Sequence, residues 1–188
     1  MKTLVIDRST DVQSLAFIGD DGVEETRELE GTDCRSGEWA VKVEEFLAGR
    51  RPDRIVVGEV RSGETLDMLQ AMNTGHSGMS TGHANSTVDM LSRMETMVLL
   101  GSDIPLAAVR RQIASAVDII IQLARFRDKS RKVSEITEIT GYENGEVTLN
   151  CLYRFVEEGE KEGKIRGTLK STGSSLKKRE KLKAAGLD

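Results

Sequence analysis

The side chains of this sequence that could do chemistry are concentrated in residues 54–86. The β-branched run at 55–57 predicts a buried parallel strand that ends at Gly58 and Glu59. A carboxylate at the carboxyl end of such a strand lies where α/β sheets bind ligands. Beside a triphosphate it can hold Mg²⁺ through water or orient the attacking water. Glu59 is therefore the first candidate catalytic residue and the candidate metal ligand.

The residues around Glu59 have types that suit a phosphate ligand. Gly58 allows the backbone to come close to a phosphate or to another strand. Arg61 can reach a phosphate or a neighbouring subunit. Glu64 opens the next predicted helix, where it can serve as a second catalytic acid or as a helix cap, and both interpretations stay open.

A segment rich in Gly, Ser and Thr follows that helix and contains both histidines, His76 and His83. A neutral imidazole at His83 could sense a γ-phosphate or position water. Ser80 and Thr81 supply short donors and acceptors beside it. A metal site completed by a glutamate is the alternative, but the H-x₆-H spacing matches no zinc signature.

The pattern along the chain predicts an α/β fold with a three-layer mixed sheet, preceded by an N-terminal β-meander and a helix. Strands are expected over 2–7, 12–19, 23–29, 54–58, 78–82, 117–124, 132–140 and 146–155, and helices over 36–49, 64–73, 87–100, 105–116 and 177–185. The highly charged strand over 23–29 should lie at an edge or be exposed, the strand over 117–124 should be buried, and Asn144-Gly145 should form the turn between the last two strands. Thr87 can cap the helix over 87–100. Trp39 is expected to anchor the first helix in the core. A flexible connection is expected over 157–175. The predicted segments are 1–50, 51–156 and a basic, flexible tail with a short helix over 157–188.

Composition favours an ordinary globular domain of 188 residues, with a net charge of −4 that hides a gradient. Residues 1–50 carry 6 Lys or Arg and 12 Asp or Glu, whereas residues 160–188 carry 9 and 4. The basic end could contact nucleic acid, acidic membrane or a neighbouring subunit, or form a solvated helix. No aromatic residues interleave with its lysines, which argues against nucleic-acid binding by stacking.

Two features bear on cellular location. Cys34 and Cys151 lie far apart and are expected to be reduced thiols of a cytoplasmic protein. The apolar runs are too short to span a bilayer, and Asp7 interrupts the N-terminal apolar run at once, so we expect neither a transmembrane segment nor a signal peptide.

RIVVGEVRSGETLDMLQAMNTGHSGMSTGHANS closely resembles the acidic-strand and histidine-box segments of the type II/type IV secretion ATPases, above all the pilus-assembly ATPases of tight-adherence and Flp-type systems. The resemblance continues through SRMETMV and IPLAAVRRQIASAVDIIIQLARFRDKSRKVSEITEITGYENGEVTL and covers about 51–188. It implies a RecA-like fold, a hexameric ring, Mg²⁺ and ATP as cofactors, and work in pilus or secretion machinery at the inner membrane. By position, Glu59, Glu64 and His83 match the catalytic motifs, while Gly58, Arg61, Ser80 and Thr81 would contact nucleotide.

These ATPases carry a phosphate loop, G-x-x-x-x-G-K-[ST], upstream of the acidic strand, and no such sequence precedes Arg51 here. Without backbone amides and a lysine around the β- and γ-phosphates, ATP affinity should fall by many kcal/mol. We therefore expect weak or no ATP hydrolysis.

The first residues, MKTLVIDRSTDVQSLAFIGDDGV, together with EWAVKVEEFLAGRRPDRIVVG, resemble the N-terminus of the actin-like partner of the tRNA threonylcarbamoyladenosine synthase. That resemblance covers about 1–58, so the chain looks like a hybrid joined at the strand DRIVVG. It implies an alternative function as a binding or assembly module that contacts the synthase subunit in tRNA modification. A recombined or designed domain without selected activity is the third hypothesis.

Overall fold

The computed structural model describes residues 1–7, 13–29, 43 and 45–187. The chain divides into two compact units, 1–82 and 83–188. This division falls elsewhere than the segment boundaries expected after residues 50 and 156. Trp39, expected in the core, and Cys34, expected to be a reduced thiol, lie outside the described residues.

The first unit is a five-stranded mixed sheet in the order β3-β2-β1-β4-β5. Its elements are β1 (Thr3–Asp7), β2 (Gln13–Gly19), β3 (Gly22–Leu29), β4 (Arg54–Val57), α1 (Glu64–Asn73) and β5 (Ser77–Ser80). Strands β1, β4 and β5 run parallel to one another, whereas β2 and β3 form antiparallel pairs. Their carboxyl ends therefore meet at one edge of the sheet.

Local sequence explains this arrangement. Asp20 and Asp21 connect β2 to β3, and Gly22 has a φ of 120°, which a side-chain-bearing residue rarely adopts. Highly charged β3 lies at the sheet edge, as expected. Alternate residues of β2 are buried, and Leu15 and Phe17 pack with Leu4 and Phe46 in one core cluster. Strand β4 is half-buried along its length rather than fully buried as expected.

The second unit combines helices with a four-stranded antiparallel sheet in the order β6-β7-β8-β9. Its elements are α2 (Thr87–Gly101), α3 (Leu106–Ala116), β6 (Ile119–Arg125), β7 (Arg131–Glu143), β8 (Glu146–Lys161), β9 (Lys164–Ser171) and α4 (Glu180–Ala184). Helix α3 packs against β7 and β8 and buries Val109 and Ile113. The predicted turn Asn144-Gly145 joins β7 to β8 with φ angles of 51° and 86°.

Helix α2 buries one apolar stripe and is capped by a neighbouring side chain. Leu91, Met94 and Met97 are buried at helical spacing, so the methionines fill the core. The expectation that Thr87 caps the helix is wrong. Ser86 is the N-cap, and its side chain accepts a hydrogen bond from Asp89 N at 3.1 Å.

Two expectations about the second unit are corrected. Residues 157–171 are not a flexible connection, because β8 continues to Lys161 and pairs with β9 through a turn at Glu162 and Gly163, whose φ angles are 54° and 69°. Cross-strand ion pairs such as Lys170–Glu158, at 2.8 Å, explain why so charged a stretch forms strands. Strand β6 is not buried throughout, because every second residue of it is exposed.

The α/β class and the mixed sheet are confirmed, although the strands divide between two sheets. The meander and the β7–β8–β9 hairpins each pair locally, so the two groups of strands need no common sheet. Among the described residues, none of the helices combines the length and apolar character that spanning a bilayer requires.

Candidate functional site at the ends of the parallel strands

The candidate site lies where β1, β4 and β5 end. Asp7 is the last residue of β1, Glu59 lies two residues after β4, and Thr81 follows β5. Because these strands are parallel and adjacent, all three residues lie at the carboxyl edge of the sheet, where α/β proteins bind ligands. The sequence therefore placed Glu59 correctly with respect to the strand.

Gly58 holds the strand ends together. Its N–H donates to Ile6 O at 2.7 Å, and its carbonyl accepts a hydrogen bond from Thr81 Oγ1. A Cβ at this position would lie 2.9 Å from Asp7 Oδ1 and 3.4 Å from Asp7 Cα. Glycine is needed here because β1 and the end of β4 approach so closely. The close approach that was expected at Gly58 is thus the approach of β1, another strand of the same chain.

Glu59 is a buried carboxylate with an arginine partner. Glu59 is 7% exposed, and its Oε2 accepts a hydrogen bond from Arg61 Nη2 at 2.7 Å. The hydrogen bond to Glu59 and the negative charge of that carboxylate raise the pKa of Arg61. The next residue, Val60, is buried, and its N–H donates to Thr81 O at 3.2 Å. The ion pair offsets part of the cost of removing the carboxylate from water.

Glu64 binds the backbone that leads into α1. Its Oε1 accepts hydrogen bonds from Arg61 N at 2.8 Å and from Ser62 N at 3.1 Å. The carboxylate also lies in the first turn of α1, where negative charge is favourable. The contacts of Glu64 are structural, but they are not those of a cap, because the N-cap of α1 is Gly63 and has no side-chain cap hydrogen bond. A catalytic role for Glu64 stays a prediction.

The hydroxyl groups expected to contact nucleotide donate to backbone carbonyls. Thr81 Oγ1 donates to Gly58 O, and Ser80 Oγ donates weakly to Thr81 O at 3.4 Å. The Thr81 contact joins the segment after β5 to the segment that carries Glu59. Nucleotide binding by either hydroxyl stays a prediction.

The two histidines lie on the surface of different units. His76, in the first unit, is exposed and has Nδ1 3.4 Å from Thr74 Oγ1. His83 is exposed and is the first residue of the second unit, three residues before the cap of α2. Among the described residues, no three His, Cys, Asp or Glu side chains form a group that could hold a metal ion.

Sequence reasoning missed Asp7. Its side chain lies beside Gly58 at the same sheet edge as Glu59. The available signal was that Asp7 ends the first predicted strand, as Glu59 follows the fourth. That signal becomes useful only when β1 and β4 are known to be parallel neighbours.

The second unit contains a shallow depression of about 540 Å³ beside the start of α2. Its polar side is organised by Glu135, which accepts hydrogen bonds from Thr137 Oγ1 at 2.6 Å, Thr87 Oγ1 at 2.9 Å and Arg154 Nη2 at 3.3 Å. Burial raises the pKa of Glu135, but these hydrogen bonds outweigh it and leave the pKa below its ordinary value. All three donors satisfy one carboxylate, so the network stabilises the junction of α2 with the sheet.

Comparison with known proteins identifies the family. The profile of the family described as "Type II/IV secretion system protein" matches residues 39–183. A Mycobacterium tuberculosis protein named for conjugal transfer is 47% identical over 87 residues, which cover 46% of this chain and 24% of that protein. The conjugal transfer protein TrbB of Rhizobium radiobacter is 43% identical over 95 residues, covering 50% and 28%.

One similar solved structure is the VirB11 ATPase of the Brucella suis type IV secretion system in complex with sulphate. Its TM-score is 0.47 at 25% identity, covering 54% of this chain and 33% of that chain.

The chain thus spans about a quarter of the length of these curated relatives. The family match begins at residue 39, so it includes the end of the segment that also resembles the actin-like protein. The resemblance of the residues before 39 to that protein, and the hybrid origin that it suggests, stay predictions. Because the profile matches most of its residues, this chain belongs to the type II/IV secretion system protein family.

Proposed function

We propose that this chain works in a secretion, pilus-assembly or conjugal-transfer machine, on the cytoplasmic side of the inner membrane, with weak or no ATP hydrolysis of its own. The observation that carries the proposal is the Glu59–Arg61 ion pair at the edge where a nucleotide would react. Glu59, which matches the family's acidic residue by resemblance, lies two residues after β4, and its carboxylate is 7% exposed and paired with Arg61.

The fit of this edge to Mg²⁺ and ATP is uneven. Carboxylates at the ends of adjacent strands, Asp7 and Glu59, are suitable partners for a hydrated Mg²⁺. The groups that would face phosphate are engaged elsewhere: Gly58 N–H with Ile6 O, Thr81 Oγ1 with Gly58 O, and Arg61 with Glu59. The edge therefore does not fit a triphosphate, and no step of hydrolysis is assigned to it.

Hydrolysis of Mg-ATP by the purified 188-residue chain tests the proposal. We expect phosphate release equal to the buffer blank, and equal for Glu59→Gln and for the control Glu143→Gln, an exposed glutamate at the end of β7. Turnover that is abolished by Glu59→Gln and kept by Glu143→Gln would overturn it. Circular dichroism of all three proteins checks that each is folded.

A further inference from the structure

We propose that strand β6 is an interaction edge that pairs antiparallel with β6 of a second copy of this chain. The described residues form two sheets with four edges, at β3, β5, β6 and β9. An open edge presents unpaired backbone groups and is a template for another strand. Proteins protect such edges with charges, proline or very short strands.

Three of the four edges have this protection. Strand β3 contains Glu24, Glu25, Arg27 and Glu28, strand β9 contains Lys164, Arg166 and Lys170, and strand β5 has only 4 residues. Strand β6 is 7 residues long, has no proline, and has its one charge at the last position, Arg125. It therefore lacks the features that keep an edge free of partners.

The exposed face of β6 is apolar. Ile119, Ile121 and Leu123 are 39%, 55% and 58% exposed, while the residues between them are half-buried. The bulge in the β6–β7 pair places the extra residue, Ser134, in β7, so β6 keeps a regular alternation. A second apolar strand could cover this row without any change in the backbone of β6.

The outward-pointing backbone groups of β6 belong to the same residues, and one of them, Leu123 O, accepts a hydrogen bond from Gln122 Nε2 at 3.2 Å. Asp118 O accepts from Ile139 N at 2.9 Å, Gln122 O accepts from Ser134 Oγ at 3.1 Å, and Phe126 N donates to Ser130 O at 2.9 Å. All three point towards β7. Because backbone groups alternate in direction along a strand, those of the odd-numbered residues 119–125 point to the open edge.

The alternation of exposed side chains and the alternation of outward-pointing backbone groups make β6 complementary to itself. An antiparallel pair centred on Gln122 places Ile121 opposite Leu123 and Ile119 opposite Arg125 of the other copy. All odd-numbered residues then face each other as hydrogen-bonded pairs, which gives about eight backbone hydrogen bonds once the Gln122 side chain releases Leu123 O. The side chains of Ile119, Ile121 and Leu123 then form an apolar row on the exposed face, with Arg125 at each end of it.

The charges at the ends of β6 favour this direction of pairing. Asp118 precedes the strand and Arg125 ends it. An antiparallel pair brings Arg125 of each copy next to the residues around Asp118 of the other, whereas a parallel pair places like charges together. Asp118 also binds Lys181 Nζ at 2.5 Å, which leaves its second carboxylate oxygen for Arg125.

Sedimentation velocity of the full 188-residue chain over a range of micromolar concentrations tests the proposal. We expect a concentration-dependent species of twice the chain mass of 20.7 kDa. Ile121→Lys should raise the dimer dissociation constant at least about tenfold, because it places two lysines in the apolar row. The matched control is Leu169→Lys on the protected edge β9, an apolar side chain that is 37% exposed, and it should leave the constant unchanged.

A cross-link tests the register independently. In the proposed pair the two copies of residue 122 lie opposite each other, about 4.5 Å apart at Cα, which suits a disulfide. With Cys34 and Cys151 changed to serine, Gln122→Cys should form a disulfide dimer under mild oxidation. Ile120→Cys should not, since its two copies lie about 13 Å apart. A monomer at every concentration, or equal cross-linking of both variants, overturns the proposal.

Discussion

Removal of the Glu138 carboxylate should release the C-terminal segment, residues 175–187, from the second unit. Glu138 is 1% exposed in β7 and accepts hydrogen bonds from Lys178 N at 2.7 Å, Asn150 Nδ2 at 2.9 Å and Lys177 N at 3.0 Å. Asn150 Nδ2 also donates to Ser175 O, and Lys178 Nζ donates to Ala114 O, each at 2.9 Å. One buried carboxylate thus organises the attachment of the segment.

The size of the effect follows from these three donors. A hydrogen bond to a charged group contributes about 1.5–3 kcal/mol. The amides of Lys177 and Lys178 regain water when the segment detaches, so the bonds are not lost at full value. Glu138→Ala should lower the free energy of unfolding of the second unit by about 3 kcal/mol. Glu138→Gln should lower it by about 2 kcal/mol, because one neutral acceptor remains while the new amide N–H groups oppose the backbone donors.

The direction in which stability depends on pH follows from the pKa of Glu138. Burial raises the pKa of Glu138, but the hydrogen bonds from Lys178 N, Asn150 and Lys177 N outweigh it and leave the pKa below its ordinary value of 4.5. A carboxyl group whose pKa falls on folding stabilises the folded state fully at pH values above its unfolded pKa. That stabilisation is lost as the pH falls through the folded pKa. The difference in stability between the native chain and Glu138→Gln should therefore be constant above about pH 5 and shrink below pH 4.5.

Urea unfolding followed by circular dichroism measures the stability, and hydrogen exchange at the amides of Lys177 and Lys178 measures attachment of the segment. Glu143→Gln, on the exposed end of the same strand, is the matched control and should change neither. Unfolding of Glu138→Ala within about 0.5 kcal/mol of the native chain, with both amides still protected, would refute the reasoning.

Two further substitutions and one titration test the packing at Gly58, the cap of α2 and the hydrogen bonds of Asp128. Gly58→Ala should destabilise the first unit by about 1–2 kcal/mol, because its Cβ would lie 2.9 Å from Asp7 Oδ1. The control Gly141→Ala, whose Cβ would lie 3.6 Å from Thr148 Oγ1, should destabilise the chain less in the same thermal melt. Ser86→Ala should destabilise the second unit by about 1 kcal/mol through loss of the α2 cap, whereas the exposed mid-helix change Ser92→Ala should leave the urea midpoint unchanged. Hydrogen bonds from the Ser130 hydroxyl, Ile165 N and Ser130 N lower the pKa of Asp128 to about 2, so its carboxyl carbon resonance should titrate near pH 2 and not near 4.

Local patterns in the sequence predicted the parts of the fold that local physics decides. The Asn144-Gly145 turn and helix α1 were predicted because each depends on residues within one turn or one helical period. The position of Glu59 beyond β4 was predictable for the same reason, since a β-branched run marks the strand and its end.

Long-range contacts decided what the sequence could not predict. The β8–β9 hairpin has charged residues on both faces, so no apolar alternation marks it as a pair of strands. Glu138 binds backbone N–H groups 39 and 40 residues away, and backbone donors leave no trace in a sequence. The engagement of Glu59 by Arg61 and of Glu64 by the backbone before α1 depends on side-chain geometry that residue types alone leave open.

The most direct test of the proposed function is an equilibrium titration of the full 188-residue chain with labelled ATP, with and without Mg²⁺. The ion pair at Glu59 and the engaged donors of Gly58 and Thr81 predict a dissociation constant weaker than about 1 mM, with no dependence on Mg²⁺. Saturable micromolar binding that requires Mg²⁺ and is lost in Glu59→Gln would contradict the account.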